Sequence, residues 1–176
     1  MKTCTPLLGL VIAALGTAAS AAEPPKAISV AEAIPFDANV AGDIGFMAAP
    51  GGNATQIKNE CNLSSSLAHY IARAGHDKKI LVTLVPNPDE ASGVVLHLTI
   101  EGVMGYMGIQ RTPKVLTVRG ELRDGDTLIG SFVSREETKE LFRNDCKGFD
   151  ATAISTALDV AKWLQAPKPK SRLGAA

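Results

Sequence analysis

The 176-residue sequence lacks most features that identify a function directly. Its basic and acidic residues balance at 18 each, so no overall field favours nucleic acid or an anionic membrane. It contains no Gly-x-Ser-x-Gly, His-Glu-x-x-His, Cys-x-x-Cys or Gly-x-Gly-x-x-Gly pattern, so the usual nucleophile, zinc, redox and phosphate motifs have no match. We therefore expect no catalytic centre, metal site or cofactor, and no nucleic acid among its partners.

A long apolar run is also missing from the chain after its N-terminus. Lys2 precedes a small-apolar run at residues 7–14, and Ala19, Ala21 and Ala22 offer cleavage sites, which is the layout of a secretory signal. The run is too short to span a bilayer. We expect residues 1–22 to be removed, leaving a periplasmic or secreted protein without a membrane anchor.

Cysteine is scarce, and signal removal would discard one of the three residues, Cys4. The two that remain, Cys61 and Cys146, predict a disulfide, because an even cysteine count in an oxidising compartment favours pairing. A redox-active pair is the alternative interpretation. Exchange-active cysteines usually lie close together in sequence, so we favour a structural bridge.

Periodicity divides the rest of the chain into an irregular lead-in at 23–57, one α+β domain at 58–166 and a disordered tail at 167–176. The lead-in contains at most a short edge strand within 34–46. The tail carries Lys168, Lys170 and Arg172, and we expect this basic cluster to be solvated and not to bind a partner.

Two helices are predicted from apolar residues at helical spacing. Asn62 or Ser64 would cap the first helix and Gly75 would end it. The second would begin at Asp150 and end before Pro167. The expected buried faces are Leu63, Leu67, Tyr70, Ile71 and Ala74 in the first helix, and Ile154, Ala157, Leu158, Ala161 and Leu164 in the second.

Strands are predicted between the helices, where apolar residues alternate with polar ones. Residues 80–85 and 94–100 are expected to be adjacent strands. Asp124-Gly125 predicts a hairpin between 116–122 and 128–133. The charged run 135–140 would form a helical turn. The expected fold is α+β, an antiparallel meander of three to four strands with both helices on one face, in the order α-β-β-β-(β)-α.

The segments Lys-Asn-Glu-Cys-Asn-Leu at 58–63, Val-Leu-Thr-Val-Arg-Gly-Glu-Leu at 115–122 and Cys-Lys-Gly at 146–148 resemble an uncharacterised family of small exported proteobacterial proteins with one disulfide. The resemblance covers roughly residues 55 to 166. More distantly, the layout is similar to envelope modules such as those of curli-secretion subunits and the TolB amino-terminal domain. This resemblance implies a role in assembly or protein contacts, without catalysis.

The most distinctive loop is residues 102–109, with three glycines at intervals of three. Its larger side chains, Met104, Tyr106, Met107 and Ile109, are candidates for an adaptable apolar binding surface. The alternative is a bulged hairpin whose apolar residues cover the sheet edge.

From these patterns we expect an exported, non-enzymatic binding or envelope-assembly protein whose partner is a periplasmic or envelope protein. One alternative is a small periplasmic hydrolase or thiol-active enzyme using Cys61, Cys146 or His69. Another is an inhibitor of a secreted lytic enzyme.

Overall fold

A computed structural model of the chain describes residues 27–38, 57–58, 60–105, 113–138 and 145–174. The predicted signal at 1–22 lies outside these ranges. Within them the fold is α+β, with two helices, six strands and a short 3₁₀ turn at Pro88–Glu90. In chain order the elements are β1 (Ala27–Ala31), α1 (Leu63–Asp77), β2 (Leu81–Val85), β3 (Val94–Met104), β4 (Val115–Asp124), β5 (Thr127–Glu137), α2 (Asp145–Trp163) and β6 (Ser171–Leu173).

The six strands form one mixed sheet in the order β2-β1-β3-β4-β5-β6. Its centre, β3-β4-β5, is the predicted antiparallel meander, and β4 and β5 meet at a two-residue turn in which Gly125 has a φ of 54°. The sheet is wider than predicted because β1, β2 and β6 add parallel pairings at its sides. The prediction of three to four antiparallel strands therefore applies only to the middle of the sheet.

β1 overturns two expectations about the start of the sheet. It lies within the supposed irregular lead-in, and it separates β2 from β3, which were expected to be neighbours. It is an inner strand, with Ile28 and Val30 buried. The chain from β1 through α1 to the parallel strand β2 is a crossover connection, so α1 packs on the face that it crosses. A short edge strand was also expected within residues 34–46. In the described part of that segment, Phe36 forms an isolated bridge to Ile100, and residues 39–46 lie outside the described ranges.

The core lies between the helices and one face of the sheet, called here the inner face. The predicted alternation is confirmed in the middle of β3 and β4, where Leu96, Leu98 and Ile100 on β3 and Leu116, Val118, Gly120 and Leu122 on β4 are buried. Gly120 leaves space for the Phe132 ring, because a Cβ at position 120 would lie only 2.3 Å from that ring. The space is filled by Phe132, which meets Trp163 edge to face at 4.9 Å between ring centroids.

The predicted ends of α1 are wrong in detail. Asn62 has a left-handed φ of 43° and makes no side-chain cap, while the Ser64 hydroxyl donates a hydrogen bond to the Ile34 carbonyl. Gly75 lies inside the helix, which continues to Asp77. A Cβ on Gly75 would lie 2.6 Å from Val82 Cγ2, so this glycine allows α1 to approach β2 closely.

α2 begins at Asp145, five residues before the predicted start, and its buried face is rotated from the predicted one. Ala157, Ala161 and Leu164 are buried as expected, but Ile154 and Leu158 are 43% and 52% exposed. Their places in the core are taken by Phe149, Ala153 and Val160. Small residues on this face let α2 pack closely against its neighbours, and the larger Ile154 and Leu158 are displaced to the surface.

The Cys61–Cys146 disulfide is present and joins residues 85 positions apart. Cys61 precedes α1 by two residues, and Cys146 is the second residue of α2. The bond therefore ties together the beginnings of the two helices, as predicted.

The chain after α2 is not the expected disordered tail. Residues 167–174, called here the C-terminal strap, run along β5 and include β6. The indole of Trp163 donates to the Lys168 carbonyl and to the Ser171 hydroxyl, and the Ser131 amide also donates to Lys168. The last part of β5 also differs from prediction, because residues 135–137 are strand and not a helical turn.

Candidate functional site

The surface between the two helices carries a concave site. α1 and α2 lie side by side, joined at their beginnings by the disulfide. On their solvent side they enclose a groove of about 280 Å³. The groove is lined by Tyr70, Arg73, Ala74 and Asp77 of α1 and by Ile154, Ala157 and Leu158 of α2.

The apolar part of this groove comes from residues that the sequence assigned to the core. Ile154 and Leu158 are four residues apart and share one face of α2. They remain 43% and 52% exposed, whereas Ala157 between them is buried. A single exposed apolar side chain is ordinary on a protein surface, but two that share a concave surface are typical of a binding site.

Charge is placed at the edges of the groove. The pKa of Tyr70 is raised, first by burial and then by the charge of Asp150 and a hydrogen bond to its side chain. Tyr70 thus stays neutral, and its hydroxyl donates a hydrogen bond to the side chain of Asp150. Asp77 lies two turns further along α1, with Arg73 between. The groove is therefore apolar at its base, with a carboxylate toward each end.

The loop predicted as a binding surface is described only in part. Met104 ends β3, is 59% exposed and lies opposite Val115 of β4. Tyr106, Met107 and Ile109 lie outside the described residues, so the loop surface stays a prediction. A register shift between Ile100 and Gly102 shows a bulge in β3. A bulge is one part of the alternative interpretation of this loop, a bulged hairpin that covers the sheet edge.

Of the residues considered for catalysis, Cys61 and Cys146 are bonded to each other, and His69 lies on α1. His69 and His76 are exposed on α1, and His97 lies on β3 with Asp89 at 3.6 Å. Both sulfurs of Cys61 and Cys146 are in the disulfide. Across the described ranges no group of three or more His, Cys, Asp or Glu side chains is placed to hold a metal ion.

A pair formed by the buried Glu136 and the half-buried Asp159 was missed by sequence reasoning. Glu136 points to the inner side of β5, and its pKa is raised to about 7, first by burial and then by a hydrogen bond to Asp159 and that residue's charge. A Cβ on Gly174 would lie 2.7 Å from Glu136 Oε1, so the pair lies directly under the C-terminal strap. The sequence carried no signal for it, because Glu136 lies in a charged run typical of a solvated surface.

Comparisons with known proteins bear on the fold alone. No protein-family model matches the chain, and a search of curated proteins gives no match. A crystal structure of an uncharacterized protein is similar, with a TM-score of 0.54 and 14% identity, over 80% of this chain and 95% of that one. A crystal structure of a putative neuraminyllactose-binding hemagglutinin homolog from Helicobacter pylori aligns over 85% of this chain and 88% of its own, at 10% identity. Its TM-score of 0.39 is too low to support an inference.

Proposed function

We propose that this is an exported, non-enzymatic binding protein whose interhelical groove receives apolar side chains from a segment of a partner protein. The observation that carries the proposal is the exposure of Ile154 and Leu158 within the groove. Burying such side chains on association contributes about 25 cal/mol for each Å² of apolar surface removed from water.

The open shape of the groove favours protein side chains over a small-molecule ligand. Its volume of about 280 Å³ lies at the lower end of the range for small-molecule pockets, and it is open to solvent along the helices. An apolar peptide or helix face inserts a few side chains into such a groove.

Charge narrows the chemistry of the partner further. Asp77 and Asp150 lie toward the two ends of the groove and outnumber the one lining cation, Arg73, so a complementary segment would carry a basic residue beside its apolar ones. A segment rich in acidic residues would meet like charge there.

The disulfide supports both export and a role without thiol chemistry. A stable bridge between distant cysteines is typical of oxidising compartments. A thiol-active enzyme needs a free thiolate, whereas both thiols here are in the bridge. In the described part of the chain, neither helix is long and apolar enough to cross a membrane.

Site-specific photo-crosslinking in the native host tests the proposal. A photoreactive residue at position 154 should form a covalent adduct with a partner protein. Leu158→Asp should abolish the adduct, because it adds a charge to the groove base. The matched control is Leu81→Asp, since Leu81 is 63% exposed but lies on β2, away from the groove.

Two outcomes would contradict the proposal. One is an adduct at 154 that survives Leu158→Asp. The other is a crosslinked partner peptide that is acidic and lacks apolar residues. Alkylation of the unreduced protein provides a separate check on the thiol alternative, because a bridged protein should take up no alkyl group at Cys61 or Cys146.

A further inference from the structure

The sheet has a second face, opposite to the helices, which is called here the outer face. Alternate residues of β4, β5 and β6 point to this side, because their neighbours in sequence point to the core. The strand register brings together on it Arg119, Val133, Arg135 and Arg172, which come from three separate segments of the chain. The exposed Lys170 precedes β6 at the same place, and these five residues are called here the basic face.

The register sets the spacing of these cations. Arg119 and Arg172 are the direct neighbours of Val133 on its two sides. With adjacent strands about 4.8 Å apart, their Cα atoms are roughly 10 Å from each other. Arg135 follows Val133 by two residues on the same strand, about 7 Å further along. Three guanidinium groups therefore surround one apolar side chain.

The strap holds the rest of the basic face in place. The backbone amide of Lys170 donates to the Ser131 hydroxyl, and β6 continues the sheet from Ser171. The cluster that looked like a solvated tail is thus a fixed part of the sheet. Ordered cations lose less side-chain and backbone entropy on binding than cations in a disordered segment.

Most of these charges are free to act on a partner. Arg119 pairs with Glu101. Arg135, Lys170 and Arg172 form no ion pair with any described residue, including Glu137 on the same strand as Arg135. The same face also carries two carboxylates: Glu121 pairs with Arg123, and Glu137 lies two residues from Arg135. The face keeps an excess of positive charge, because Arg135, Lys170 and Arg172 outnumber Glu137. The overall charge of the chain is zero, so this excess is local.

Apolar side chains are interspersed with the cations. Val133 is 39% exposed, and Leu128, which lies opposite Arg123 on the outer face, is 45% exposed. Cations with exposed aliphatic groups between them suit the interface of an anionic bilayer, where phosphates meet the charges and the aliphatic groups enter the headgroup region. Single-stranded nucleic acid is a poorer fit, because its binding surfaces combine cations with aromatic stacking platforms, and none of these outer-face side chains is aromatic.

We infer that the basic face binds the phosphate headgroups of an anionic phospholipid membrane as a peripheral contact. This binding is separate from the interhelical groove, since the two surfaces lie on opposite sides of the molecule. A protein bound in this way could present its groove to a partner near the membrane.

Vesicle co-sedimentation of the full chain after signal removal tests the inference. One set of vesicles contains phosphatidylcholine alone, and the other contains phosphatidylcholine with an equal amount of phosphatidylglycerol. We expect binding to the anionic vesicles only, weakening as salt is added. Each cation near an anionic surface contributes about fivefold in affinity, so Arg135→Gln with Arg172→Gln should reduce binding about thirtyfold.

The matched control is Lys78→Gln with Lys162→Gln. It removes the same charge from exposed positions at the ends of α1 and α2, on the helix side of the molecule. The affinity of this control for anionic vesicles should be within about twofold of that of the unchanged chain. If binding depended only on long-range attraction to the total charge, both variants would lose affinity equally.

Three results would overturn the inference. The first is equal binding to neutral and anionic vesicles. The second is equal loss in the test and control variants. The third is tight binding to heparin, with loss in the test variant, but no sedimentation with anionic vesicles, because this result would assign the basic face to a soluble polyanion. Unchanged melting temperatures of both variants confirm that the strap remains folded.

Discussion

Removing the disulfide with Cys61→Ala and Cys146→Ala should cost much of the stability of this protein. The bond closes a loop between residues 85 positions apart, and the loop-entropy relation gives about 4 to 5 kcal/mol for that length. Small domains have a free energy of unfolding of about 5–15 kcal/mol, so this loss is a large share of it. Because Cys61 is only 7% exposed, truncating it also leaves a small void that adds to the cost.

Urea denaturation followed by tryptophan fluorescence measures the effect. Trp163 is the single tryptophan and is 7% exposed, so its emission reports directly on loss of the core. With a slope of about 2 kcal/mol per molar urea, the midpoint should fall by about 2 M. The slope should also rise, since an unfolded chain without the cross-link exposes more surface.

Reduction of the unchanged chain provides the control for packing effects. Reduced protein and the double variant should lose similar amounts of stability, because both lack the cross-link. A loss below about 1 kcal/mol in both would refute the loop-entropy argument. A loss confined to the double variant would assign the cost to the missing sulfur atoms and not to the cross-link.

Three further predictions concern the strap and the core. The free energy of unfolding should fall as pH rises from about 4.5 through 7. The pKa of Glu136 is about 7 in the folded protein and 4.5 in the unfolded chain, so the protonated carboxyl stabilises the fold fully below pH 4.5, and this stabilisation is lost as pH rises through 7. Melting temperatures across this range should show the fall and Glu136→Gln should flatten it, while an unchanged slope would contradict the assignment. Trp163→Phe should lose the hydrogen bond that the indole N–H shares between the Lys168 carbonyl and the Ser171 hydroxyl, at about 1 kcal/mol, and hydrogen exchange should accelerate at residues 168–173. Unaltered exchange there would show that the indole does not hold the strap. Gly120→Ala should crowd the Phe132 ring and lower stability by about 1–3 kcal/mol in urea denaturation, and no change would show that the ring can move aside.

Local patterns predicted the centre of the fold well. β3, β4 and β5 were recognised because their apolar residues alternate, and the Asp124-Gly125 turn joined the last two strands. β1 and β6 were missed because their sequences, Ala-Ile-Ser-Val-Ala and Ser-Arg-Leu, contain few large apolar residues. Their pairing depends on partners elsewhere in the chain, which no local window contains.

The candidate groove was not predicted, although its apolar residues were all named as part of helix faces. Ile154 and Leu158 were placed in the core because they are large and apolar, and the periodicity of α2 is consistent with more than one buried face. The alanines at 153, 157 and 161 offered a signal for the closely packed side of the helix. That signal is recognisable only when the neighbouring helix is known.

The α+β class, the antiparallel centre of the sheet, the two helices and the cysteine pairing could be predicted from residue spacing and from the number of cysteines available. Three features required the folded chain: which side of α2 is buried, where β1 enters the sheet and how the basic tail is held against β5. The reason is that burial and register are set by contacts between distant segments. A helix face, a short strand and a charged tail each have several acceptable local arrangements, and packing selects one.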